Sequence, residues 1–252
     1  MKQKIKEIFK VIRAKKQKLI KVKIENCRHY CGFVYGRNSV NNPYQDYIVG
    51  LQNGENKEML RNKFIDFLSL YKPKYISEAL DVELSTNYPL WAFPWLQYTA
   101  ESFSSTTNWH DDPFDVPDII THFSDKGVLK YRLEEEFVWM EKAFASVKKN
   151  GYAPEKFNNY ASVWQFITKS GESIYLLLDG NHRASALYAM GVSSFDCNLQ
   201  HIFYESDIEN WAAVKDAFFT IEDAKTIFYA YVKGNTKNYY AQLKEKKILI
   251  IE

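Results

Sequence analysis

Three cysteines in 252 residues, Cys27, Cys31 and Cys197, are too few and too odd in number for a disulfide framework. Cys27 and Cys31 stand four apart with no second pair to complete a zinc site, so they read as reduced thiols of a cytosolic protein. No run of about 18 apolar residues is present, so nothing in the pattern spans a membrane. The basic N-terminus has no apolar h-region and no small-residue cleavage site, which argues against a secretory signal. Internal repeats and low-complexity tracts are absent too, which excludes solenoids and disordered arrays.

What is present is ordinary globular composition, 46% hydrophobic and 25% charged, enough for one large domain or two small ones. Aromatics are abundant at 16%, and such rings serve cores first, then interfaces and stacked ligands. The net charge of +2 is unevenly spread. Residues 1–23 hold nine lysines and one arginine against one glutamate, a balance of +9, so the remainder of the chain sums to −7. In that arm Ile5, Ile8, Phe9, Ile12, Leu19 and Ile20 fall mostly on one helical face, the pattern of a basic amphipathic helix over 1–23. Such a helix suits an anionic membrane surface, a protein partner, or its own domain. The acidic body disfavours duplex DNA as the main partner and, with it, a nuclease. The expected compartment is the cytoplasm, with the arm able to bring the chain to the inner face of a membrane.

Along the chain, "KLIKVKIENC" reads as a strand and residues 31–56 as a loop-rich stretch punctuated by Gly, Asn and Pro. "KEMLRNKFIDFLSLYK" is a helix with Leu60, Phe64, Phe67 and Leu68 inward, stopped by Pro73. Residues 88–118 form a long aromatic segment of the length that usually serves as a lid or functional loop. "RLEEEFVWMEKAFASVKKNG" is a strong helix with Leu133, Phe137, Met140, Phe144 and Val147 inward and Gly151 as its C-cap. "ASVWQFIT" and "SIYLLLD" are strands joined by a turn at Ser170-Gly171. A helix over 182–190 closed by Gly191 follows, then the strand "SFDCNLQHIFY". Two further helices, 206–219 and 220–234, each open on a capping-box pattern, Ser206 with Glu209 and Thr220 with Asp223. The expectation is an α+β fold: a small mixed sheet with flanking helices over 131–205, an α+β extension over 24–130, and C-terminal helices over 206–252.

The chemistry concentrates in "DGNHR", residues 179–183, between an apolar strand and a helix rich in small residues. A helix N-terminus offers unpaired amides and the positive end of a dipole, a ready anion site. Gly180 allows the turn, Arg183 brings a fork of donors suited to phosphate, and His182 exchanges a proton near neutral pH. Asn181 and Ser185 add polar groups. Asp179 beside a phosphate would repel it unless it holds Mg2+, orients a water or accepts the proton of an attacking hydroxyl. The plainer alternative is an Asp–Arg pair with a capping Asn that closes a turn. Further carboxylates come from either of two places: His110, Asp111 and Asp112 in the long loop, or one of Glu134, Glu135 and Glu136. Trp91, Phe93, Trp95 and Trp109 either stack a sugar or base or pack the loop onto the core.

Residues 134–200, about a quarter of the chain, resemble the ParB/sulfiredoxin superfamily through "SVKKNGYAP", "ASVWQFI", "GESIYLLLDGNHRASALYAMG" and "FDCNL". The resemblance implies nucleotide binding, with the Gly-x-His-Arg turn on the phosphates. Where sulfiredoxins carry their reactive cysteine after the glycine, this chain has Asn181. Where the chromosome-partitioning proteins follow with a helix-turn-helix, its helices at 207–233 are aromatic rather than basic. The free-serine kinases of the superfamily carry Asp-Gly-His-His-Arg, one residue away from Asp-Gly-Asn-His-Arg, and relatives occur in surface-polysaccharide assembly. The resemblance therefore implies a kinase using ATP, or another nucleotide, with Mg2+ on a small-molecule or glycan acceptor. Asp179, His182, His110, Asp111 and Asp112 would be catalytic, Gly180 to Arg183 with Ser185 would bind nucleotide, and Asp179 would serve the metal. The alternative is a nucleotide-switched binding module without acceptor chemistry.

Overall fold

The computed structural model describes residues 18–39, 42–71, 73–90, 92–97, 123–124, 127–128, 130–156, 159–235 and 237. Within them the chain is a mixed α+β structure around one five-stranded open sheet. In chain order the sheet comprises β1 (Lys18–Lys23), β2 (Cys27–Arg28), β5 (Ala161–Ile167), β6 (Ser173–Asp179) and β7 (Ser194–Tyr204), arranged β1-β7-β5-β6-β2. β1 runs antiparallel to β7, β7 parallel to β5, β5 antiparallel to β6, and β6 parallel to β2. A separate small hairpin pairs β3 (Phe123–Ser124) with β4 (Gly127–Val128).

The β5–β6 hairpin follows from its turn residues. Gly171 takes φ +85°, and the Gly171 and Thr168 amides close the loop onto Thr168 and Glu172 carbonyls at 2.9 and 3.0 Å. On one face of β5 Trp164 and Phe166 meet Trp95, whose ring lies 4.7 Å from Phe166 and 5.5 Å from Phe203. Each such ring, wholly removed from water, contributes about 1.5–3 kcal/mol. Phe93 and Trp95 therefore pack the start of the aromatic loop onto the core. Trp91 and Trp109 lie outside the described residues.

Helices cover the sheet: α1 (Pro43–Gln52), α2 (Lys57–Leu70), α3 (Ile76–Leu80), α4 (Lys130–Asn150), α5 (Asn181–Ala189), α6 (Ala212–Lys215) and α7 (Ile221–Lys233). The inward residues expected for α2 and α4 are buried, with Phe144 packed partly against the core.

Three expectations are corrected. The loop-rich stretch contains α1, started by the Asn42 side chain accepting from the Gln45 amide at 3.1 Å and by Pro43 in the first turn. Its Gly50 breaks nothing: a Cβ there would stand 2.3 Å from Leu60 Cδ2, so glycine lets α1 and α2 approach. The amphipathic helix expected over 1–23 yields over Lys18–Lys23 to the strand that "KLIKVKIENC" also led one to expect, because the backbone there finds partners along β7; residues 1–17 lie outside the described residues. The helix expected over 206–219 is a 3-10 turn at Glu205–Asn210 followed by the four-residue α6, since the Ser206 hydroxyl bonds Asp207 and caps nothing.

The cap on α7 does form, Thr220 accepting from the Asp223 amide at 3.0 Å. The buried Asp223 carboxylate reaches across to the 85–88 segment instead, accepting from Ser85 and from the Tyr88 hydroxyl at 2.7 Å. Arg28, buried on β2, donates to the carbonyls of Tyr231 and Val232, both at 3.0 Å, and so caps the C-terminus of α7. The N-terminal segment thus supplies both edges of the sheet and a clamp on the last helix. No described helix is long and apolar enough to cross a membrane.

Candidate functional site

The turn between β6 and α5 is built around Gly180. Its φ is +99°, and a Cβ there would lie 2.7 Å from the Ala161 Cβ on β5. Glycine is thus demanded twice, by the backbone and by the neighbouring strand. It delivers Asp179 at the strand end and starts α5 with Asn181, His182 and Arg183 on its first turn.

Two pairs organise these side chains, one buried and one exposed. His182 Nε2 donates to Glu136 Oε1 across from α4; Glu136 is fully buried and His182 largely so. Of the three consecutive glutamates, Glu136 is the one that reaches the turn. Glu134 bonds Arg61 at 3.1 Å, and Glu135 is exposed. The other imidazole nitrogen, Nδ1, has no hydrogen-bond partner among the described residues, and Tyr44 lies beside the ring at 5.4 Å. Behind them His29 is held neutral: burial pushes it down to about 3, against the pull of Glu136, and its Nδ1 accepts from the Cys31 amide at 3.1 Å. The exposed pair is Arg183 with Asp179 at 2.8 Å, one helical turn apart, and Arg183 also donates to the Asn159 carbonyl.

Asn181 accepts from the Tyr35 hydroxyl at 2.8 Å, which fixes its amide. Ser185 is fully buried and its hydroxyl donates to the Asn181 carbonyl at 3.1 Å, so it faces the helix interior and not the turn's surface. Asp179 is not the bare carboxylate that the residue types suggested; Arg183 balances its charge, as the plainer reading had it. His110, Asp111 and Asp112 lie outside the described residues. Tyr35, Tyr44, His29 and Asn159 carried no signal in the sequence, since each meets the turn from far along the chain. Cys27, Cys31 and Cys197 are free and buried.

The arrangement offers helix amides and a guanidinium to an anion, and an imidazole held at one nitrogen by a buried carboxylate. Among the described residues no group of three His, Cys, Asp or Glu side chains is placed to hold a metal on its own. No protein-family model matches the chain, and no curated protein or solved structure matches it.

Proposed function

We propose that the chain is a nucleotide-dependent phosphotransferase, a kinase for a hydroxyl of a small molecule or glycan precursor, working at the turn between β6 and α5. The observation that carries the reading is the Glu136–His182 pair. Removing a carboxylate wholly from water costs several kcal/mol, and apolar residues of the same volume serve packing as well or better. Its presence on an imidazole at a helix N-terminus points to a working proton acceptor.

In this reading the first amides of α5 and the Arg183 guanidinium hold phosphate oxygens, and Asp179 sets the guanidinium in place. His182, fixed through Nε2, takes the acceptor's proton on Nδ1 as the acceptor oxygen bonds to the transferred phosphorus and the nucleoside diphosphate leaves. The residues fit a magnesium ion of the ordinary nucleotide kind, which needs one or two protein carboxylates besides the phosphates; Asp179 is the exposed carboxylate at hand. The ion would neutralise phosphate charge. The order helix, strand, strand, turn, helix, strand over α4, β5, β6, α5 and β7 supports the ParB/sulfiredoxin resemblance behind this proposal.

The Asp179–Arg183 pair favours a second reading, a nucleotide-switched binding module, because it gives Asp179 a role without acceptor chemistry. One experiment addresses both. Calorimetric titration with ATP and Mg2+ is expected to show saturable binding that Arg183→Ala weakens at least about tenfold, the loss of a charged contact of about 1.5–3 kcal/mol. Mass spectrometry is expected to detect phosphate on at least one member of a panel of sugars, polyols and serine. Binding without transfer turns the assignment to the switch, and no binding at all refutes both.

A further inference from the structure

Ser162 on β5 is the cross-strand partner of Asp179 on β6 and of Asn198 on β7, so the three side chains form a row on one face of the sheet, beside the turn. At about 4.8 Å per strand, Asn198 and Asp179 stand about 10 Å apart with Ser162 between them. Asn198 is only 6% exposed, yet its buried Oδ1 has no hydrogen-bond partner among the described residues. Buried amides are nearly always paired, and one facing a polar row invites a ligand. Ser162 keeps its own proton to donate, since it accepts from Gln200 Nε2 at 3.4 Å. Next along the same face of β5 stands half-buried Trp164, with Trp95 against it, whose buried indole N–H also has no acceptor among the described residues.

We propose that Asn198, Ser162 and Asp179 form the acceptor subsite for a polyhydroxylated substrate, a sugar or polyol, an inference that rests on the phosphotransferase reading. A hydroxyl matches the amide: its proton goes to the unpaired Oδ1, and its oxygen can accept from Nδ2. The 10 Å row has the span to seat a sugar ring on Asn198 and Ser162 while another hydroxyl reaches the turn at Asp179. Trp164 offers the apolar neighbour that a ring's C–H face prefers.

The test is saturation-transfer NMR and titration of the full chain with glucose, N-acetylglucosamine, glycerol and ribitol, without nucleotide. At least one is expected to bind saturably. Asn198→Leu should weaken it about tenfold or more, with thermal stability held or raised because an unpaired buried amide is removed. Ser162→Ala, a smaller change at a half-buried position, should weaken binding about threefold and decides the matter if the leucine variant does not fold. Failure of all four probes to bind the wild type, or undiminished binding by the folded variants, overturns the subsite. ATP titrations of the same samples separate the two ideas. Sugar binding without ATP binding sinks the phosphotransferase reading and leaves the subsite, whereas ATP binding without sugar binding sinks the subsite alone.

Discussion

Gly180→Ala is the most demanding test of how the turn is built. Two costs arise in the structure. An L-residue at φ +99° carries a left-handed backbone penalty of about 1–2 kcal/mol. The new methyl would lie 2.7 Å from the Ala161 Cβ, a short rigid atom on a central strand that cannot swing aside, and overpacking of this kind costs about 1–3 kcal/mol. The total is about 2–5 kcal/mol, which for a chain of this size lowers the melting temperature by about 10 °C. Gly171→Ala is the control: its φ is +85°, but nothing lies within 4 Å of its added Cβ, so only the backbone cost applies and the fall should be about 4 °C. Ala161→Gly in the Gly180→Ala background reopens the space and should recover the steric part but not the backbone part, with a coupling of about 1–3 kcal/mol in the double-mutant cycle. Calorimetric melting of the four variants reads all of this. Equal losses for the two glycine variants, or additivity in the cycle, would refute the claim that Ala161 makes Gly180 obligatory.

Glu136→Gln keeps shape and a hydrogen bond to His182 while removing the buried charge; phosphate transfer is expected to fall about 10²-fold with ATP affinity within about threefold, measured by turnover and calorimetry. Asp179→Asn releases Arg183 from its ion pair and should also lower turnover about 10²-fold while metal-free nucleotide affinity holds or rises, which titration with and without Mg2+ would separate. Burial pushes the thiols of Cys31 and Cys197 up to about 12 and that of Cys27 well above its ordinary value, so none forms thiolate near neutral pH; iodoacetamide at pH 8 should leave all three unmodified by mass spectrometry until the chain is denatured. Burial alone would raise the Asp223 carboxyl, but the bonds from Ser85, Tyr88 and Thr220 outweigh it and hold it below the usual carboxylate range. The stability it contributes is therefore present above about pH 4 and lost as pH falls through its folded value, so the drop in melting temperature between pH 7 and pH 3 should be smaller in Asp223→Asn than in the wild type.

Local pattern determined much of this protein. The 3.6-residue spacing of Leu133, Phe137 and Met140, the alternating strands around Ser170-Gly171, the Thr220 cap and the strand-turn-helix punctuation at Gly180 are all written within a few residues, because backbone preference and one-sided burial are short-range effects. Where the sequence misled, a distant partner decided. Lys18–Lys23 fell within both the expected basic helix and the expected strand "KLIKVKIENC", and the ladder that β7 offered decided for an edge strand. Gly50 looks like a helix breaker until Leu60 is seen to need its space. The site divides in the same way. "DGNHR" marked the turn unaided and offered the Asp179–Arg183 pair, four residues apart, as one of two readings, whereas two things existed only after folding: the choice of Glu136 over its two neighbours, and the row that sets Asn198 beside Ser162 and Asp179. Charge balance and pairing are properties of groups brought together across tens of residues, and no local pattern records which groups those will be.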